Sequence, residues 1–143
     1  MERHKDDSRS RHGRIETATF VVGAVEAGFP SPADDYLEIP LDLNELLILH
    51  PAATFFVRAR GRSMEKAGIS HGDLLVVDRS LEPRPGDCVI AVIDGSFTVK
   101  RFLKRGSGYC LAPANDGYPT IPLTEESDIE IWGVATCVIR QLR

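Results

Sequence analysis

Residues 88–103 read Cys88-Val89-Ile90-Ala91-Val92-Ile93, then Asp94-Gly95, then Ser96 and a second apolar run that opens at Phe97. Two β-rich runs joined by Asp-Gly are the strongest short-range hairpin signal, because the tight turn needs positive φ at both central positions. The hairpin sets the fold class, since the other apolar runs are also short and strand-like. They cover residues 54–59, 73–77, 109–112 and 129–139. Turn clusters such as His71-Gly72 and Pro83-Arg84-Pro85-Gly86-Asp87 separate them. One helix stands apart. Asp42-Leu43-Asn44-Glu45 resembles a capping box, Leu43, Leu46, Leu47 and Leu49 supply apolar faces, and His50-Pro51 ends it. Many short strands with one small helix predict a compact, largely antiparallel, partly closed β-fold. At 143 residues and 43% hydrophobic, the chain has the material for one core. It shows neither an internal repeat nor a second domain.

Residues 1–16 mix Glu2, Arg3, Lys5, Asp6, Asp7, Arg9, Arg11, Arg14 and Glu16 with almost nothing apolar, and read as a flexible, solvated N-terminal arm. A net charge of -4 argues against a domain that binds phosphate backbones by bulk charge. Residues 17–25 are β-branched and aromatic enough for a strand. They lead into Glu26-Ala27-Gly28-Phe29-Pro30-Ser31-Pro32, where two prolines predict an extended, poorly paired segment. An extended chain is the shape a protease groove takes up by strand addition. No apolar run is long enough to span a bilayer, and the start of the chain lacks the apolar core of a secretory signal, so no membrane attachment is expected. Cys88, Cys110 and Cys137 are odd in number and widely spaced, which reads as reduced thiols in a cytoplasmic protein. His4, His12, His50 and His71 show no metal-ligand spacing, and no nucleotide-binding fingerprint is present, so no cofactor or metal is expected.

Two residues carry candidate chemistry. Ser63 sits in Gly61-Arg62-Ser63-Met64, a turn directly after an apolar run. Most Gly-x-Ser turns merely satisfy their own hydrogen bonds, and Met64 is by default a core residue. Lys100 closes Phe97-Thr98-Val99-Lys100 on a strand, sharing a face with Thr98 and Phe102. Most strand lysines point to water. In a dry pocket, however, burial disfavours the ammonium, and a neutral lysine can activate a serine.

These motifs occur together with others in one order. Phe29-Pro30-Ser31-Pro32, Asp42-Leu43-Asn44-Glu45-Leu46-Leu47, Gly61-Arg62-Ser63-Met64, Gly68-Ile69-Ser70-His71-Gly72-Asp73-Leu74-Leu75 and Asp94-Gly95-Ser96-Phe97-Thr98-Val99-Lys100 resemble the UmuD proteins. Those belong to the LexA-like self-cleaving serine peptidases, peptidase S24, and the resemblance runs from about residue 19 to the end of the chain. It implies a LexA/signal-peptidase-like β-fold. It also implies Ser63 as nucleophile, Lys100 as general base and Ala27–Gly28 as the scissile bond. UmuD proteins often have cysteine before that glycine; the alanine here, as in LexA-type repressors, is also small. Backbone N–H groups of Ser63 and Met64 are the candidate oxyanion donors.

The resemblance further implies residues 1–27 as an arm released by self-cleavage and residues 28–143 as the processed peptidase domain. Its implied partners are a second copy in a homodimer, a RecA–single-stranded DNA filament that provokes cleavage, and a UmuC-like Y-family DNA polymerase. The processed form would be the accessory subunit of error-prone translesion synthesis in the SOS response. The alternatives are a non-enzymatic dimeric interaction module regulating a polymerase, and a fragment of a LexA-type repressor. Residues before Ala27 are too few and too polar for the helix-turn-helix such a repressor needs, so sequence-specific DNA binding is not expected.

Overall fold

The computed structural model describes residues 19–22, 27–28, 38–115, 117 and 119–143. The expectations for residues 1–16, for Pro30 and for Pro32 lie outside them. Contacts divide the chain into two units, residues 1–46 and 47–143. In the first unit β1 (Thr19–Val22) pairs antiparallel with β2 (Glu38–Leu41), Thr19 opposite Leu41 and Val22 opposite Glu38. β1 falls inside the expected strand. β2 was not expected, because Pro40 argues against a strand. A two-stranded sheet consists of edges only, where proline is tolerated. Helix α1 (Leu43–Leu47) begins where the capping residues place it, with the Asn44 N–H donating to Asp42 Oδ1 at 2.9 Å. Leu43, Leu46 and Leu49 are exposed. Pro51 opens a 3-10 turn, Pro51–Ala53, rather than directly ending the helix.

The second unit holds one antiparallel sheet of seven strands. They are β3 (Thr54–Arg58), β4 (Leu74–Asp78), β5 (Cys88–Ile93), β6 (Ser96–Arg105), β7 (Gly108–Ala112), β8 (Ile121–Leu123) and β9 (Ile129–Ile139). Their order is β3-β4-β9-β5-β6-β7-β8. The Asp94-Gly95 hairpin forms as expected: Ile93 faces Ser96, and both turn residues have positive φ, 49° and 77°. The sheet does not close on itself among the described residues; β3 and β8 are its edges. Instead its two longest strands change partners along their length. β9 pairs with β5 over residues 129–135 and with β4 over residues 134–139, and β6 passes from β5 to β7 at Arg101.

Side chains alternate between faces along each strand, so β5 feeds two core clusters. Ile90 joins Leu75, Val77, Met64, Ile69 and Ala59; Val89 and Ala91 join Phe102, Leu111 and Val134. Where β9 passes β5 the register skips Trp132, a bulge. That turn of the chain brings Gly133 against β4, where a Cβ would lie 2.6 Å from Val77 Cγ1. Val77 is fully buried and has nowhere to move. Gly133→Ala is therefore expected to destabilise the fold by about 1–3 kcal/mol, the usual cost of overpacking, measurable by urea unfolding. At the end of β4, Asp78 accepts the Ser80 N–H and hydroxyl and pairs with His50 Nδ1 at 2.5 Å. This fixes the turn that leads into β3. No helix among the described residues is long and apolar enough to cross a membrane.

Candidate active site

Ser63 lies in the loop between β3 and β4. Two backbone bonds staple the base of that loop: Ala59 N–H to Asp73 O and Gly72 N–H to Ala59 O, both 2.8 Å. Asp73 locks the far side. Its side chain is 2% exposed, and it accepts Arg140 Nε at 2.6 Å, Arg140 Nη2 at 2.5 Å and the Ser70 N–H at 2.7 Å. The Arg140 guanidinium holds the Asp73 carboxyl down at about 2, against the opposing effect of burial. The same guanidinium donates to Gly68 O at 3.0 Å, tying the end of β9 to the loop.

The turn that presents Ser63 is pinned on both sides. Gly61 takes φ of 88°, a conformation glycine adopts freely, and its N–H donates to His71 Nδ1 at 2.9 Å. After Ser63 the chain enters a 3-10 turn, Glu65–Ala67. Met64 is buried in the core and its carbonyl accepts the N–H groups of Ala67 and Ile69. From the other side, Ala114 N–H donates to Ser63 O at 2.6 Å, Lys66 N–H to Ala114 O at 2.7 Å, and Asn115 Nδ2 to Arg62 O at 2.8 Å. The N–H groups of Ser63 and Met64, by contrast, donate to no protein group among the described residues.

Beside Ser63 opens a pocket of about 230 Å³, lined by apolar side chains of Val57, Ala59, Met64, Ile69, Ile90 and Val99. Phe97 and Thr98 of β6 form another part of its wall. Lys100 follows on the same strand, half-buried, opposite Val89 in the register. It shares a strand face with Thr98, which reaches the pocket, and not with Val99. Ser63 and the strand carrying Lys100 thus border one cleft, but no hydrogen bond joins Ser63 Oγ to Lys100 Nζ. The rival nucleophiles are less apt. Cys88, Cys110 and Cys137 are all free, and burial pushes the Cys88 thiol up, with Arg101 only partly opposing it.

Ala27 and Gly28 fall in the first unit, in an exposed bend where Gly28 has φ of 110°. The extended segment expected there is bent at these two residues.

Compared with known proteins, the chain matches the Peptidase S24-like family over residues 19–136. The chain belongs to that family. It is 54% identical over 118 residues to Protein ImpA of Escherichia coli, covering 82% of this chain and 80% of the relative. It is 44% identical over 124 residues to Protein MucA of Escherichia coli, covering 86% and 84%. The LexA repressor of Idiomarina loihiensis is 39% identical over 121 residues, which span 84% of this chain and 58% of that protein. The resemblance read from the motifs holds: the chain is a UmuD-like member of a family of self-cleaving peptidases.

Sequence reading of this S24 chain singled out Ser63 and Lys100 but not their supports. Asp73 and Arg140 sit 67 positions apart, and no spacing rule links them. Ala114 and Asn115 lie in an irregular stretch after β7, where their backbone and amide groups act and their residue types carry no signal. His71 was read only as part of a turn.

Proposed function

We propose that the chain is a serine endopeptidase that cuts its own Ala27–Gly28 bond with a Ser63–Lys100 dyad. The observation that carries this reading is Ser63 itself. It stands on a braced turn beside a pocket lined largely by apolar side chains, and its own N–H and that of Met64 donate to no protein group among the described residues. Such groups can receive the charge that develops on a carbonyl oxygen during acyl transfer.

In the proposed reaction neutral Lys100 takes the hydroxyl proton of Ser63 as Oγ attacks the Ala27 carbonyl. The N–H groups of Ser63 and Met64 hold the oxyanion. The C–N bond breaks, Lys100 returns the proton to the Gly28 amine, and residues 1–27 remain as an ester on Ser63. Water then releases them and leaves residues 28–143 as the processed form. Hydrogen bonds within a catalytic pair are often long before substrate docks. Arrival of the Ala27–Gly28 segment is the step that desolvates Lys100 and draws it to Ser63.

UmuD-like relatives give this chemistry its setting. The chain acts in the cytoplasm as a homodimer, a RecA–single-stranded DNA filament provokes cleavage, and the processed form joins a UmuC-like polymerase as its accessory subunit in SOS mutagenesis. A filament that binds only the docked state raises the rate by shifting that population. Incubation with RecA, ATP and single-stranded DNA, followed by intact mass and N-terminal sequencing, should give a product beginning at Gly28. A different new N-terminus would refute the bond assignment. An uncut chain under all conditions would favour a passive interaction module.

A further inference from the structure

We propose that His71 is a positioning residue for Ser63, holding the nucleophile's turn through the Gly61 N–H. The inference deepens the peptidase reading and rests on it. The donor in this bond is a backbone amide, so the atom that receives it, His71 Nδ1, carries no proton. The ring is the neutral tautomer with its proton on Nε2. A side chain that must accept at this one atom is chemically constrained, although it lies at the surface.

The ring stands on a rigid base. His71 belongs to the turn in which Asp73 N–H bonds Ser70 O at 3.1 Å and Gly72 N–H bonds Ala59 O at 2.8 Å. Arg58 and Asp73 nearby are engaged with other groups. Arg58 Nη1 donates to Gly72 O at 2.9 Å, and the Asp73 carboxylate is taken by Arg140 and by the Ser70 N–H. Gly61 N–H is the partner that Nδ1 has. A continuous path runs from Arg140 through Asp73 and the 70–73 turn to His71, Gly61 and Ser63. On the far side of Ser63 the brace comes from Ala114 and Asn115. His71 supplies the near-side brace, two residues before the nucleophile. Small displacements of a nucleophile are costly to the reaction, so this brace acts on rate rather than on stability.

The test compares His71→Leu with His71→Asn in the full-length chain. The amide oxygen of asparagine is bonded to the same Cγ position as Nδ1 and can accept the same N–H, whereas leucine cannot. Self-cleavage is expected to slow about tenfold in the leucine variant, because the nucleophile's turn loses its near-side brace, and asparagine is expected to restore most of the lost rate. Thermal midpoints of both should match the parent. A second reading needs no activity: in a Ser63→Ala background, amide hydrogen exchange at Gly61 should quicken with leucine and stay slow with histidine or asparagine. If the parent never cleaves, the peptidase reading fails while the exchange measurement still decides the role of His71. Equal Gly61 exchange in all three, or an asparagine variant as slow to cleave as the leucine one, overturns the proposal.

Discussion

Replacing Ser63 by alanine is expected to abolish cleavage at Ala27–Gly28, and Lys100→Ala should do the same. Each loss should be at least about a thousandfold, because a nucleophile and its base act as one unit. For the same reason the double variant should be no slower than either single one. Lys100→Arg should also be inactive: it keeps the positive charge, but a guanidinium does not give up its proton to become a base. The fold should survive all of these changes. Both residues are half-buried, neither side chain is among the largest in the core, and the β5–β6 ladder that holds residue 100 is made by backbone. Intact mass reports the cleavage and circular dichroism the fold. A Lys100→Ala chain that still cuts at the parental rate would remove lysine from the mechanism. That outcome has a structural meaning here, since Ser63 and the strand that carries Lys100 border one cleft while no bond joins the two side chains.

What could be read from the sequence follows from how local the determining physics is. The Asp94-Gly95 turn and the Asp42 cap act over two to four residues, and both form where the residues place them. The long strand β9 was visible because ten of its eleven residues, all but Glu130, are β-branched or apolar and carry their own signal. β2 and β8 were not visible. They are four and three residues long, each contains a proline, and they exist as strands only because a neighbour pairs with them. The same division runs through the site. Ser63 and Lys100 could be singled out by motif and by resemblance. The braces on Ser63 come from residues distant in sequence, and the two from Ala114 act through its backbone, where the residue type carries no signal.

The most distant of these supports should also give the largest loss of stability. Asp73→Ala is expected to lower the thermal midpoint by more than Gly133→Ala does. It leaves the Arg140 guanidinium with only the Gly68 carbonyl and frees the Ser70 N–H, both in one change. The converse change, Arg140→Ala, leaves a buried carboxylate facing only the Ser70 N–H, and a buried charge without its partner is strongly destabilising. The pair also fixes how the protein meets acid. Bonding to Arg140 holds the Asp73 carboxyl at about 2, whereas a carboxyl in the unfolded chain titrates near ~3.9. Between those values the unfolded chain binds a proton that the folded chain does not, so unfolding gains as pH falls. The stabilisation from Asp73 is complete above about pH 4 and is lost as pH falls toward about 2. Asp78, held low by Ser80 and His50 against its own burial, adds to the same acid-side loss. In an Asp73→Asn chain the Asp73 share of that loss should disappear, so its stability should fall less steeply over this window, from a lower starting point. Thermal midpoints taken across the acid range separate the two effects. A parallel pair of curves would mean that Arg140 does not favour the charged form of Asp73, and the tie between β9 and the Ser63 loop would then have to rest on the Gly68 carbonyl alone.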